Sequence, residues 1–152
     1  MKKKPSNSKS LPPLLRECWN RLNSTFMKRV KQVGLTPDQY TVLRWIHELP
    51  TGTVSQSQLA SLMSTDANNI AGLIKRMSGL RLIDRKKNPL DKRQNLIFPT
   101  DDGDKLFKKG KKIAEKLEKD SLACFTDDEK DHFLCLLEQL TIKINNETAI
   151  DP

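Results

Sequence analysis

Residues 85–93, Arg-Lys-Lys-Asn-Pro-Leu-Asp-Lys-Arg, place Arg85, Lys86, Lys87, Lys92 and Arg93 close together in the chain with a single carboxylate, Asp91. Such groups hold anions, each ammonium or guanidinium donating hydrogen bonds to a phosphate oxygen. Asp91 would not touch a phosphate, but it can take the Arg93 guanidinium in a two-pronged bond and aim it. Upstream, Asn68, Asn69, Lys75 and Arg76 share one outward helical face with Ala71 and Gly72. An Asn amide donates and accepts at once, so it can meet adenine N6 and N7 together, and the two small residues permit close approach. Ser57, in the preceding short helix, joins these as a candidate contact. The bland alternative for Asn68-Asn69 is helix-start chemistry, which Asn also favours.

Charge distribution agrees with an anionic partner. The formal net charge is +8, and residues 72–100 hold eight Lys/Arg against two acids. Residues 101–152 hold nine against thirteen. A basic block inside the folded region points to a polyanion. Double-stranded DNA is the expected partner, since the aromatic platforms that splayed RNA bases need are absent from the block. No run is long and apolar enough for a membrane span, and the start MKKKPSNSKS has no apolar core for a signal peptide, so a cytoplasmic chain is expected. Cys18, Cys124 and Cys135 form no CxxC pair, and His47 and His132 have no metal-ligand spacing; no metal and no cofactor are expected. Without a Gly-rich phosphate loop, an HExxH or a nucleophile elbow, an enzyme is not expected.

These groups need elements to position them. Residues 1–10 read as a disordered basic tail. Leu11, Leu15, Cys18, Leu22, Phe26, Val30 and Val33 recur at helical steps, and Gly34 ends that helix. Thr36-Pro37-Asp38-Gln39 is a capping box, as are Ser55–Gln58 and Thr126–Glu129. Thr53-Val54 reads as a stub of strand. Two short helices follow, with Leu59, Leu62 and Met63, then Ile70, Leu73, Ile74 and Met77, facing inward. Strands are expected over 81–87 and 95–99, with Pro99 at an end where no ladder donor is needed. Thr100-Asp101-Asp102 caps a long helix, and a last helix carries Phe133, Leu134, Leu137, Leu140 and Ile144. The fold class is mainly α with one small β-hairpin: a winged helix-turn-helix module over 35–100, its wing about 85–97, flanked by end helices over 11–33 and 101–147. Residues 11–152 form one domain in this reading.

The chain resembles the MarR family of winged helix-turn-helix transcriptional regulators. Gly34-Leu35-Thr36-Pro37-Asp38-Gln39-Tyr40 with Val42-Leu43 is similar to the family's LTxxQxxVL opening, and Leu59-Ala60-Ser61-Leu62-Met63 to its ELAxxL helix. Arg85 to Arg93 resembles the Rxx(N/D)xxDxR wing, and Thr100 to Gly103 the TxxG beyond it. Arg81 stands where the family usually has a left-handed Gly, a turn that Gly79 could shift, and Ala71 and Gly72 replace a hydroxyl and an Arg. The resemblance implies a homodimer joined through the end helices, binding a pseudo-palindromic operator, as a repressor. It also implies release by a small aromatic effector, for which Trp19, Phe26, Tyr40 and Trp45 are the expected lining, ordinary core packing being the alternative. A redox-sensing regulator acting through Cys18, with Arg16 and Arg21 as support and Glu17 opposing, is a second reading. A winged-helix protein-interaction module is a third.

Overall fold

The computed structural model describes residues 10–148. Apart from Ser10, the expected basic tail lies outside them. The chain divides into two compact units, residues 1–114 and 115–152.

In the first unit, helix α1 (Leu11–Val30) carries Pro12 in its first turn, where a missing N–H costs nothing. A 3₁₀ turn at Lys31–Val33 closes it, and Gly34 takes φ 84°, a conformation that glycine adopts without strain. Helix α2 (Pro37–Glu48) starts at a complete capping box. The Gln39 N–H donates to Thr36 Oγ1 at 3.3 Å, and the Thr36 N–H donates to Gln39 Oε1 at 2.9 Å. Ser55 caps helix α3 (Gln56–Leu62) by accepting from the Gln58 N–H. Only this half of the expected second box is present, and the Ser55 hydroxyl also pairs with that of Ser57.

Helix α4 (Ala67–Gly79) follows a turn in which Ser64 takes φ 50°. Strands β1 (Ile83–Lys87) and β2 (Asn95–Pro99) pair antiparallel, Arg85 opposite Ile97 and Lys87 opposite Asn95. The expected stub at Thr53-Val54 falls one residue later: Ser55 bridges Leu96, and the Ile97 N–H donates to the Val54 carbonyl at 2.9 Å. Val30, Leu35, Val42, Leu43, Leu59, Ile70, Ile74, Met77, Ile83 and Ile97 form one buried cluster under these elements. Each buried Leu or Ile contributes about 1.5–3 kcal/mol, so this core is what fixes the hairpin relative to α4.

Helix α5 (Asp101–Leu122) begins at Thr100, whose hydroxyl accepts from the Gly103 N–H. In the second unit, Thr126 and Glu129 form the complete box that opens helix α6 (Asp127–Thr148). Among the described residues no helix is long and apolar enough to cross a membrane.

Candidate nucleic-acid interface

The outward face of α4 is set by what its inner face buries. Ile70, Leu73, Ile74 and Met77 are inside, leaving Asn68, Ala71, Lys75 and Arg76 exposed. Asp66 is the N-cap and accepts from the Asn69 N–H at 2.8 Å. The Asn69 amide turns back on the same cap, donating to Asp66 Oδ2 at 2.6 Å and to Thr65 Oγ1 at 3.4 Å. Its amide donor is therefore engaged in helix-start bonding, whereas Asn68 stands outward on the first turn. Gly72 leaves room for a neighbour: a Cβ there would meet the Arg76 guanidinium at 3.4 Å, so Arg76 lies folded along its own helix. Exposed Ser57 is held to Ser55 at 3.0 Å on α3.

Strand geometry divides the wing cations. Alternation places Arg85 and Lys87 on the face of buried Ile83 and Ile97, beyond the edge of the core, and Lys86 on the other. Lys86 lies over the Phe98 ring at 5.0 Å, a cation–π contact that holds it near the base of the hairpin. The tip is built by short polar turns. The Leu90 N–H donates to Asn88 Oδ1, and the Arg93 N–H donates to Asp91 Oδ1, both at 3.0 Å. Asp91 thus fixes the backbone of Arg93 and not its guanidinium, which corrects the expected two-pronged bond. A carboxylate two residues upstream reaches the N–H more easily than the end of a long side chain. The Lys92 and Arg93 side chains extend from this fixed tip.

The junction between α4 and β1 shows how the departure at residue 81 is accommodated. Arg81 itself takes φ 57°, and Gly79 remains helical, so the cap is not shifted. The Arg81 carbonyl accepts from the Thr100 hydroxyl, and the Thr100 N–H donates to the Leu82 carbonyl at 3.1 Å. These bonds hold the residue between α4 and β1 in its left-handed form.

Two arrangements escaped the sequence reading. Lys105, Lys108, Lys109 and Lys112 form an exposed row on α5, opposite buried Gly103, Phe107 and Gly110. Their spacing is visible in the sequence, but the acidic excess of residues 101–152 masks it. His47 joins α2 to α5, with Nδ1 at 2.7 Å from the Leu43 carbonyl, Nε2 at 2.9 Å from Asp104, and its ring stacked on Phe107 at 4.0 Å.

Of the four aromatics expected to line one cavity, only Phe26 and Tyr40 are in ring contact. Tyr40 is buried, with Phe26 edge-on at 5.1 Å, and both belong to the packed core. Trp19 is 65% exposed. Trp45 packs against the core from a different face of α2, beneath the Arg44 guanidinium at 4.9 Å, and its indole N–H is buried without an acceptor. Cys18, Cys124 and Cys135 are free and exposed, and no group of His, Cys, Asp or Glu among the described residues could hold a metal.

A family model described as MarR family matches residues 33–94, which is the span of this site. Among curated relatives, the uncharacterized HTH-type transcriptional regulator YsmB of Bacillus subtilis is 26% identical over 118 residues, 78% of this chain and 77% of its own length. A probable transcriptional regulator from Pseudomonas aeruginosa superposes with TM-score 0.75 at 29% identity, covering 87% of this chain and 97% of that one. The transcriptional repressor CouR, bound to a 23-mer DNA duplex, superposes with TM-score 0.81 at 25% identity over 93% of this chain and 99% of its own. With its opening motif, wing and fold in agreement, residues 33–94 of the chain are similar to the MarR family, and its fold is that of solved transcriptional regulators.

Proposed function

We propose that this chain binds double-stranded DNA in a sequence-specific manner, as a homodimer on a pseudo-palindromic operator, and represses transcription there. The observation that carries this reading is the fixed hairpin tip, whose Arg93 N–H is held by Asp91 while Lys92 and Arg93 project beyond a core shared with α4. CouR, the relative solved with duplex DNA, supports the same use of the same fold. α4 enters the major groove, about 12 Å wide, with Asn68, Lys75 and Arg76 outward, and the wing meets the neighbouring backbone or minor groove. Residues 35–100 form the DNA-binding module in this reading, and 11–33 with 101–147 the dimer helices. The apolar residues left exposed on α1 (Leu11, Leu14, Leu15, Trp19) and on α6 (Phe133, Leu134, Ile144) support that role. A two-fold pair sets two recognition helices roughly 34–36 Å apart, one turn of DNA.

Release by a small aromatic effector is part of the proposal, and the buried, unpartnered Trp45 N–H is the donor that such a ligand would use. A ligand acts only through different affinities for the DNA-fit and DNA-unfit arrangements.

Selection from a random pool of duplexes by the full chain tests the reading. The expected product is an inverted repeat, bound as two chains per duplex, with affinity falling steeply as salt rises. A chain that enriches no duplex, or binds as a monomer without salt dependence, overturns it.

A further inference from the structure

Most of the exposed large apolar residues lie on α1 and α6, but Leu90 stands apart from both. It occupies the hairpin tip and is 95% exposed, more than any other large apolar side chain described. Its backbone is well fixed. Besides its own bond to Asn88, the Gln94 N–H donates to the Asp91 carbonyl at 2.9 Å and the Asn88 N–H to the Gln94 carbonyl at 3.0 Å. Pro89 restricts the preceding φ. A rigid turn thus presents one leucine between Lys87 at the end of β1 and Lys92 and Arg93 in the turn before β2. A leucine there adds nothing to phosphate binding and works against solubility.

Minor-groove walls are lined by deoxyribose carbons, an apolar surface that a wing meets before the base edges. Proteins that enter this groove commonly bring apolar side chains with their cations. We propose that Leu90 is an apolar affinity contact that packs on the deoxyribose walls of the minor groove when the wing engages the duplex. The inference rests on the DNA-binding reading above. Because this contact displaces water and no condensed cation, its share of affinity is independent of salt, unlike that of Lys92 or Arg93.

The test measures binding of the full-length wild type, L90S, L90M and K92A to the selected duplex across a salt series. L90S is expected to bind about 10-fold more weakly with an unchanged slope of log affinity against log salt, and L90M to recover to within about twofold. K92A is expected to lower the slope by about one. The melting temperature of L90S stays that of the wild type, because the side chain is free in the unbound protein. Equal affinity for L90S and wild type overturns the contact alone. So does a slope altered by L90S, a failed recovery in L90M, or a lowered L90S melting temperature. A wild type that selects no duplex removes the DNA-binding reading and this contact with it.

Discussion

A Cβ on Gly103 would lie 2.0 Å from the Leu82 carbonyl oxygen, so the first turn of α5 can approach the start of β1 only because residue 103 has no side chain. The obstacle is backbone, and it cannot rotate away as a side-chain end could. Gly103→Ala is expected to destabilise the fold by about 2–3 kcal/mol, through a shift of the hairpin base against α5. Urea unfolding followed by circular dichroism measures it; a change below about 0.5 kcal/mol would show that the two elements separate at little cost.

Arg81 and Gly79 make a paired prediction. Arg81 holds a left-handed backbone that costs a residue with a Cβ about 1–2 kcal/mol, partly offset in Arg81→Gly by the greater freedom of an unfolded glycine. The net expectation is a gain of up to about 1 kcal/mol. Gly79 is helical with open space around it, so Gly79→Ala is expected to stabilise by about 0.5–1 kcal/mol. Thermal melts of both variants check the signs, and a loss of stability in either contradicts the assigned conformation.

At the wing, Arg93→Ala is expected to weaken operator binding by about 1–3 kcal/mol and leave the dimer intact. Asp91→Asn keeps an oxygen acceptor for the Arg93 N–H, so it is expected to bind within about twofold of wild type. A loss in Asp91→Asn as large as in Arg93→Ala would return Asp91 to the guanidinium. On α4, Asn68→Ala is expected to change base preference at one operator position. Asn69→Ala should instead lower stability by about 0.5–1 kcal/mol, through the helix start it braces. Binding profiles over single-base operator variants separate the two roles.

Glu129 gives a pH dependence. The backbone N–H and hydroxyl of Thr126 both donate to its carboxylate and hold its pKa below the ordinary 4.5. A depressed folded-state pKa means that the stabilisation is complete above about 4.5 and is lost as pH falls through the lower folded value. The stability difference between wild type and Glu129→Ala is therefore expected to be constant from pH 7 to about 5 and to shrink below 4. A difference that stays flat to pH 3 would contradict the bond.

Local chemistry was the part of this molecule most legible in its sequence. The boxes at Thr36 and Thr126, the stop at Gly34 and the strand ending at Pro99 each depend on residues a few positions apart. What escaped depends on distance along the chain or on the choice between two nearby partners. His47 and Asp104 are 57 residues apart and meet only once α2 and α5 are packed. Asp91 had both an N–H and a guanidinium within reach, and only the folded turn shows which one it takes. Gly103 is recognisable as a motif residue, but its reason, the Leu82 carbonyl, belongs to another element. The four aromatics were grouped by type, while helical periodicity distributes Tyr40 and Trp45 to different faces of α2.

The bridge from Ser55 to Leu96 ties the hairpin to the very residue that caps α3. Because one hydroxyl-bearing residue is both the end of that bridge and the start of that helix, the wing cannot be re-aimed without disturbing the helix-turn-helix at its root. Helix pair and hairpin thus behave as a single stiff arm, which in the proposed complex would meet a duplex as one body.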